Sequence, residues 1–189
     1  MTAANPLLAP WTAPFGAPPF AEIEAEHFRP AIEIGLAEER AEIAAIAGNP
    51  DEPSFANTID AFERSGRTLG RTYAVLRNLV RAHGSDALQA IERETAPVLA
   101  RHNSAIYLDE ALFARIDDLF SRRDSMDLTA EQDRVLERHH TAFSRAGAGR
   151  PPEVKARLAA ISERLASLST RFGQNLMADE KQWLSLIHI

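Results

Sequence analysis

Two runs of apolar residues that step by three and four constrain this chain more than any other feature. One is Ile59, Phe62, Gly66, Leu69, Tyr73, Leu76 and Val80; the other is Val154, Leu158, Ile161, Leu165, Leu168, Phe172 and Leu176. Each residue turns about 100° around an α-helix, so these steps gather the side chains on one face, whereas a strand would scatter them. No stretch of length shows the two-residue alternation of a half-buried strand. The fold class expected is therefore all-α, with long antiparallel helices in a bundle-like array. The second run has heptad-like spacing, and it is expected to be a core face rather than a separate coiled coil.

Proline and glycine place the breaks. Asn5-Pro6, Ala9-Pro10, Ala13-Pro14 and Pro18-Pro19 keep the first twenty residues out of any helix, because proline has no amide hydrogen and restricts its predecessor. This arm also carries Leu7, Leu8, Trp11, Phe15 and Phe20. That apolar bulk predicts an extended arm over residues 1–25, laid on the body with its aromatics buried. A first helix is expected from Glu26 to Ala47, with Pro30 in its opening turn and Gly48-Asn49-Pro50 as its stop. Phe28, Ile32, Leu36, Ile43 and Ile46 form its inner face.

The spacing then predicts one helix carrying Ile59 to Val80, ending at His83-Gly84. A third helix, capped by Ser85 and Asp86, runs to Ile106, with a kink at Pro97. A fourth spans Glu110 to Arg123. Thr129-Ala130-Glu131-Gln132 reads as a capping box for a helix ending at Ala146. Pro151-Pro152 opens the last helix, which carries the second apolar run.

Charge and composition exclude several functions. The net charge of −6 opposes the positive footprint that a nucleic-acid binder needs. No apolar run is long enough for a transmembrane helix, so no membrane partner is expected. The first residues lack the basic and apolar regions of a secretory signal. No cysteine is present, which removes disulfides and thiolate metal sites and fits a cytoplasmic protein. Residues 1–60 hold ten acidic groups and two basic ones, while residues 61–101 hold seven arginines and four acidic groups. An acidic first helix beside a more basic second one is expected, with Arg64, Arg67 and Arg71 on one face pairing with it. Gly66 and Gly70 are expected to serve close helix packing.

Catalytic and metal chemistry is absent at the level of motifs. The six histidines are His27, His83, His102, His139, His140 and His188. None forms the His-Glu-x-x-His pattern that puts two imidazoles one turn apart beside a carboxylate. His139 and His140 are neighbours and diverge around a helix. Glu-x-x-His, used in pairs by di-iron helical bundles, occurs as Glu24…His27 and Glu137…His140. A di-iron carboxylate bundle, or a plain self-standing interaction module, is therefore the alternative reading. No Gly-x-Ser-x-Gly, no placed Ser/His/Asp set and no phosphate loop is present. No catalytic, cofactor-binding or metal residue is assigned within the chain.

A family resemblance supplies what the motifs do not. Asn5-Pro6-Leu7-Leu8-x-x-Trp11-x-x-Pro14-Phe15-Gly16-x-Pro18-Pro19-Phe20, then Ile23-x-x-x-His27-Phe28-x-Pro30-Ala31 and Gly35, set the pattern. It continues through Ala45-Ile46-Ala47-x-Asn49-Pro50, Pro53-Ser54-Phe55-x-Asn57-Thr58-Ile59, Leu88-Gln89-Ala90-Ile91-Glu92 and Phe172-x-Gln174-Asn175. In this order these elements resemble the N-terminal part of the thimet-oligopeptidase family of zinc peptidases. The character is that of bacterial peptidyl-dipeptidases, with oligopeptidase A as a related group.

The resemblance implies a helical molecule with a deep channel that admits short peptides. It also implies one zinc, held by His-Glu-x-x-His and a downstream glutamate in a catalytic C-terminal part. None of those residues has a counterpart in this sequence, so this segment is expected to bind no zinc and to be inactive alone. Residues 26–183 are then the helical N-terminal segment of a larger peptidase, contributing channel wall. Residues 184–189, Leu184-Ser185-Leu186-Ile187-His188-Ile189, leave the family pattern and resemble translated adapter read-through. A non-native tail is expected there, with no functional weight on His188. A chain of this kind is expected to expose one apolar surface and to self-associate.

Overall fold

Several helices begin or end at a local signal: Ser85, Asp109 and Thr129 each cap the helix that follows, and Gly48 and Gly147 stand at helix ends. The computed structural model describes residues 5–182, and among them no strand occurs. The 184–189 tail lies outside the described residues. A 3₁₀ turn over Ala25–His27 leads into α1, Phe28–Ala47. The turn is locked reciprocally, with the Glu24 amide donating to His27 Nδ1 at 2.9 Å. Pro30 sits in the opening turn of α1, where a missing N–H costs nothing. Its predicted inner residues, Phe28, Ile32, Leu36, Ile43 and Ile46, are all buried.

The predicted second helix is broken. Phe55–Asp60 forms a π-helical turn capped by Ser54, followed by the short α2, Ala61–Arg64, and then by α3, Arg67–His83. Gly66 adopts a left-handed conformation between them (φ 66°), a region that glycine enters without a Cβ penalty. A Cβ there would also lie 2.3 Å from Glu39 Oε1. The apolar run is thereby divided between two cores. Ile59 and Phe62 join one, while Leu69, Tyr73, Leu76 and Val80 join the other. The expected packing roles of Gly66 and Gly70 are not seen: Gly66 is the break, and Gly70 faces open space. The close approach occurs at Gly35 on α1, where a Cβ would come 2.8 Å from the Leu69 backbone nitrogen.

The remaining helices are α4, Asp86–Tyr107; α5, Glu110–Ser121; α6, Ala130–Ala146; and α7, Pro152–Gln182. Ser85 caps α4 by accepting from the Leu88 amide at 3.3 Å. The helix continues through Pro97. The capping box of α6 is formed as expected, with Gln132 N donating to Thr129 Oγ1 at 3.2 Å and Thr129 N donating to Gln132 Oε1 at 3.0 Å.

The helices enclose two cores. Leu7, Phe28, Ile32, Leu76, Val80 and Ile91 fill the first; Ile59, Leu112, Ile116, Leu119, Leu136 and Phe143 fill the second. Helices α1 and α4 serve both, since each places its early residues in the first core and Ile43, Ile46 or Ile106 in the second.

The arm is anchored only over its first part. Asn5 Nδ2 donates to the His27 carbonyl at 2.8 Å, Leu7 is fully buried, and Trp11 is held under Arg71 at 5.0 Å. Its expected burial of aromatics fails beyond that point. Phe15, at φ 62°, and Phe20 are exposed. The backbone of a helix satisfies its own hydrogen bonds, so an arm lying on helices can be held only by side chains, and Pro14, Pro18 and Pro19 offer no amides for others.

Candidate functional site

The described histidine side chains are each committed to a structural partner. His27 belongs to the capping box before α1. His102 is buried against Glu39, with Nε2 and Oε2 2.8 Å apart. His139 meets Glu63 at 2.5 Å, and His140 meets Asp117 at 2.9 Å while stacking on Phe120 with ring centroids 3.9 Å apart. The di-iron alternative is thereby overturned. Glu24 and His27 bond each other's backbone, Glu137 pairs with Arg134, and His140 faces a different helix. Among the described residues, no three His, Asp or Glu side chains converge as a metal site.

The arginine row does not meet the acidic helix as expected. The break at Gly66 separates Arg64 from Arg67 and Arg71. Arg64 pairs with Asp60 at 3.6 Å, and Arg71 lies over Trp11. Glu42 of α1 instead accepts from the Gly66 amide at 2.8 Å, and Glu39 holds His102. The carboxylates of α1 thus fasten the helix break and the interior of α4.

A cleft of about 510 Å³ opens between α3, α4 and α7, lined by Tyr73, Arg77, Arg81, Glu92 and Gln174 among others. Gln174 is buried at its floor. Its Nε2 donates to the Gln89 carbonyl and to Glu92, both at 2.9 Å, and its Oε1 accepts from Arg93 at 2.6 Å. A fully bonded amide of this kind ties α7 to α4. Burial raises the Tyr73 phenol above its ordinary value, and the nearby Glu92 adds to the effect. Tyr107 is likewise raised by burial, and then by Glu63 and Glu39.

These shifts fix a sign. A phenol whose pKa is raised in the folded state keeps its proton while the unfolded chain loses one near pH 10. The unfolded state then binds fewer protons, so stability falls as pH rises above about 10. Urea midpoints measured from neutral pH upward should show that loss, and Tyr73→Phe with Tyr107→Phe should flatten it.

The largest departure from expectation is α7. Its apolar run was expected to face the core, yet Val154, Ile161, Leu165, Leu168, Phe172 and Leu176 are all exposed, Phe172 by 70%. Helix α7 packs along α4 through its opposite side, where Ala159, Ala166, Ser167, Thr170 and Gln174 are buried or half-buried. Small residues let two helix backbones approach closely, and the polar Gln174 is satisfied in place. This orientation leaves a long apolar stripe facing outward, larger than the scattered apolar residues normal on a surface. A row of small residues at Ala159, Ala166 and Gly173 is the sequence signal that would have revealed it.

No family model matches the chain. Individual relatives do. The chain is 41% identical to a dipeptidyl carboxypeptidase of Escherichia coli over 181 residues, which is 96% of this chain and 27% of that protein. It is 39% identical to a dipeptidyl carboxypeptidase of Salmonella typhimurium over 94% of its length. To an oligopeptidase A of Salmonella typhimurium it is 26% identical over 183 residues. In each case the chain spans about a quarter of the length of the relative it matches.

Proposed function

We propose that the chain belongs with the thimet-oligopeptidase family and is the N-terminal helical portion of a zinc-dependent peptidyl-dipeptidase. The observation that carries this reading is identity along nearly the whole chain to a dipeptidyl carboxypeptidase, of which it spans 27%. The lower identity to oligopeptidase A favours dipeptide release over general endopeptidase action. Residues 26–183 would form part of the wall of a peptide channel, with the arm laid beside them. A catalytic C-terminal part of the same polypeptide would pack against this wall, and short peptides would be the substrates. A cytoplasmic setting fits the family and the lack of cysteine.

The residues present do not fit the zinc site of such an enzyme. The sequence holds no His-Glu-x-x-His, and the described histidine side chains are bound to carboxylates or a cap. No catalytic step is therefore assigned to any residue here. What these residues contribute is shape: a rigid helical wall, fastened internally by Gln174, Glu39 and His102, with one apolar face outward.

The test is hydrolysis. The purified chain should leave a short blocked peptide intact, with or without added zinc. Joined to the remaining three quarters of the E. coli relative, in place of that protein's own matching quarter, it should support chelator-sensitive release of dipeptides. Chelator-sensitive cleavage by the chain alone would overturn the reading.

A further inference from the structure

The exposed stripe of α7 has a chemical border that says what covers it. Its apolar residues advance by four, three, four, three and four from Val154 to Phe172, which is the spacing of a seam that receives another helix at a shallow crossing angle. Along one edge, at intervals of seven residues, run Arg157, Arg164 and Arg171. All three are exposed, and none has an acidic partner among the described residues. The other edge carries Lys155, Ser162 and Ser169. Lys155 is bonded to Glu110, and the carboxylate of Glu163 lies behind the seam on Arg101. On a chain with net charge −6, the borders of this apolar face thus hold only cationic and neutral side chains from residue 155 to residue 172, with Glu153 one turn before Arg157 and with Asp179 and Glu180 beyond its last turn.

A second copy of the chain does not match that border. Antiparallel pairing of two α7 seams sets the arginine edge against itself, and parallel pairing sets it against the serines. Over residues 155–172, the stretch that carries the arginines, neither supplies a carboxylate. We infer that the outer face of α7 docks an amphipathic helix whose apolar stripe is bordered by Asp or Glu. Resting on the reading proposed above, that helix comes from the rest of the same polypeptide, since about three quarters of the relatives' length lies outside the matched stretch. A shallow groove of about 290 Å³ at Arg157, Ala160, Ile161, Arg164 and Leu165 marks a place where a partner side chain seats. Flanking charges of this kind select the partner and set its direction more than they add affinity.

Two synthetic helical peptides test this, each with leucines in a four-three stripe, one bordered by glutamates and its twin by lysines. Titrated into the chain at low salt, the glutamate peptide should bind tighter, by on the order of tenfold, and the gap should shrink as salt screens the borders. The triple variant Arg157→Glu, Arg164→Glu and Arg171→Glu changes only exposed side chains, and an unchanged thermal melt verifies its fold. It should reverse the preference. Equal binding of both peptides, binding of neither, or a tight dimer of the chain unaffected by the triple variant would each overturn the inference. Hydrolysis by the chain alone would sink the catalytic reading and leave the peptide preference standing. Absence of the preference in an inactive chain would sink this inference alone.

Discussion

Replacing Phe143 with alanine should cost about 3–5 kcal/mol of stability, the range for emptying a large aromatic site in a packed core. Phe143 is fully buried on α6, and its ring is the meeting point of the second core. It stands 4.8 Å from Tyr107, 5.7 Å from Phe62 and 6.2 Å from Phe113, measured between ring centroids. Those three rings come from α4, α2 and α5. Loss of the central ring leaves a void that none of them can fill without moving a helix, because the neighbours are themselves held in place. Phe62 abuts His139, which is bound to Glu63, and Phe113 is stacked on His140, which is bound to Asp117. A thermal melt should drop by about 10 °C, from the usual few degrees per kcal/mol for a chain of this size. Phe143→Leu should recover most of the loss, since it returns apolar volume without the edge contacts. A midpoint unchanged by Phe143→Ala would mean that the second core does not close around this ring.

Arg115→Ala should have the next largest effect, about 3 kcal/mol. Arg115 on α5 is 7% exposed, and its guanidinium gathers the connector between α1 and the π-helical turn. Nη1 donates to the carbonyls of Asn49 at 2.9 Å and Asp51 at 3.1 Å, and Nη2 donates to Asn57 Oδ1 at 2.9 Å. Arg122, two turns on, adds a bond to the Pro53 carbonyl. The connector is too short and too rich in proline to bond its own backbone, so α5 supplies the donors. Removing the guanidinium orphans the Asn49 and Asp51 carbonyls, each costing on the order of 1–3 kcal/mol when it stays dry, while Asn57 Oδ1 keeps the Ser54 amide and the Thr58 hydroxyl. Relief of burying a cation offsets part of that sum. Arg115→Lys should recover little, because an ammonium on a flexible stem cannot reproduce the planar fork. Urea titration of the three proteins would check the order wild type, Lys, Ala. Equal stability of Arg115→Ala and the wild type would rule out the clamp.

How much of this was legible follows the range of each interaction. Caps and stops were read from a few neighbouring residues: the Thr129–Gln132 box, the Gly48-Asn49-Pro50 stop and the Ser85 cap are all present as expected. The inner face of α1 was equally readable. The break at Gly66 was not, because the apolar spacing runs through it undisturbed. The partners there are distant in sequence: the Glu42 carboxylate, 24 residues earlier, accepts from the Gly66 amide, and Glu39, 27 residues earlier, fills the space a Cβ would need. Burial of Phe15 and Phe20 was misjudged because hydrophobicity states a preference, and the arm has nothing beyond Trp11 to hold it against the helices.

The candidate site divides in the same way. The sequence by itself determined that the chain is helical, that it carries no recognisable catalytic or zinc motif, and that one face of its last helix is a continuous apolar stripe. Those properties depend on residues a turn or two apart, or on the presence of a residue type. The tertiary structure alone decided which side of that helix turns inward. Periodicity locates an apolar face but cannot say what lies against it. Here the small side, with Ala159, Ala166 and a fully bonded Gln174, fits against α4, and the apolar side of α7, with its arginine border, is left facing outward.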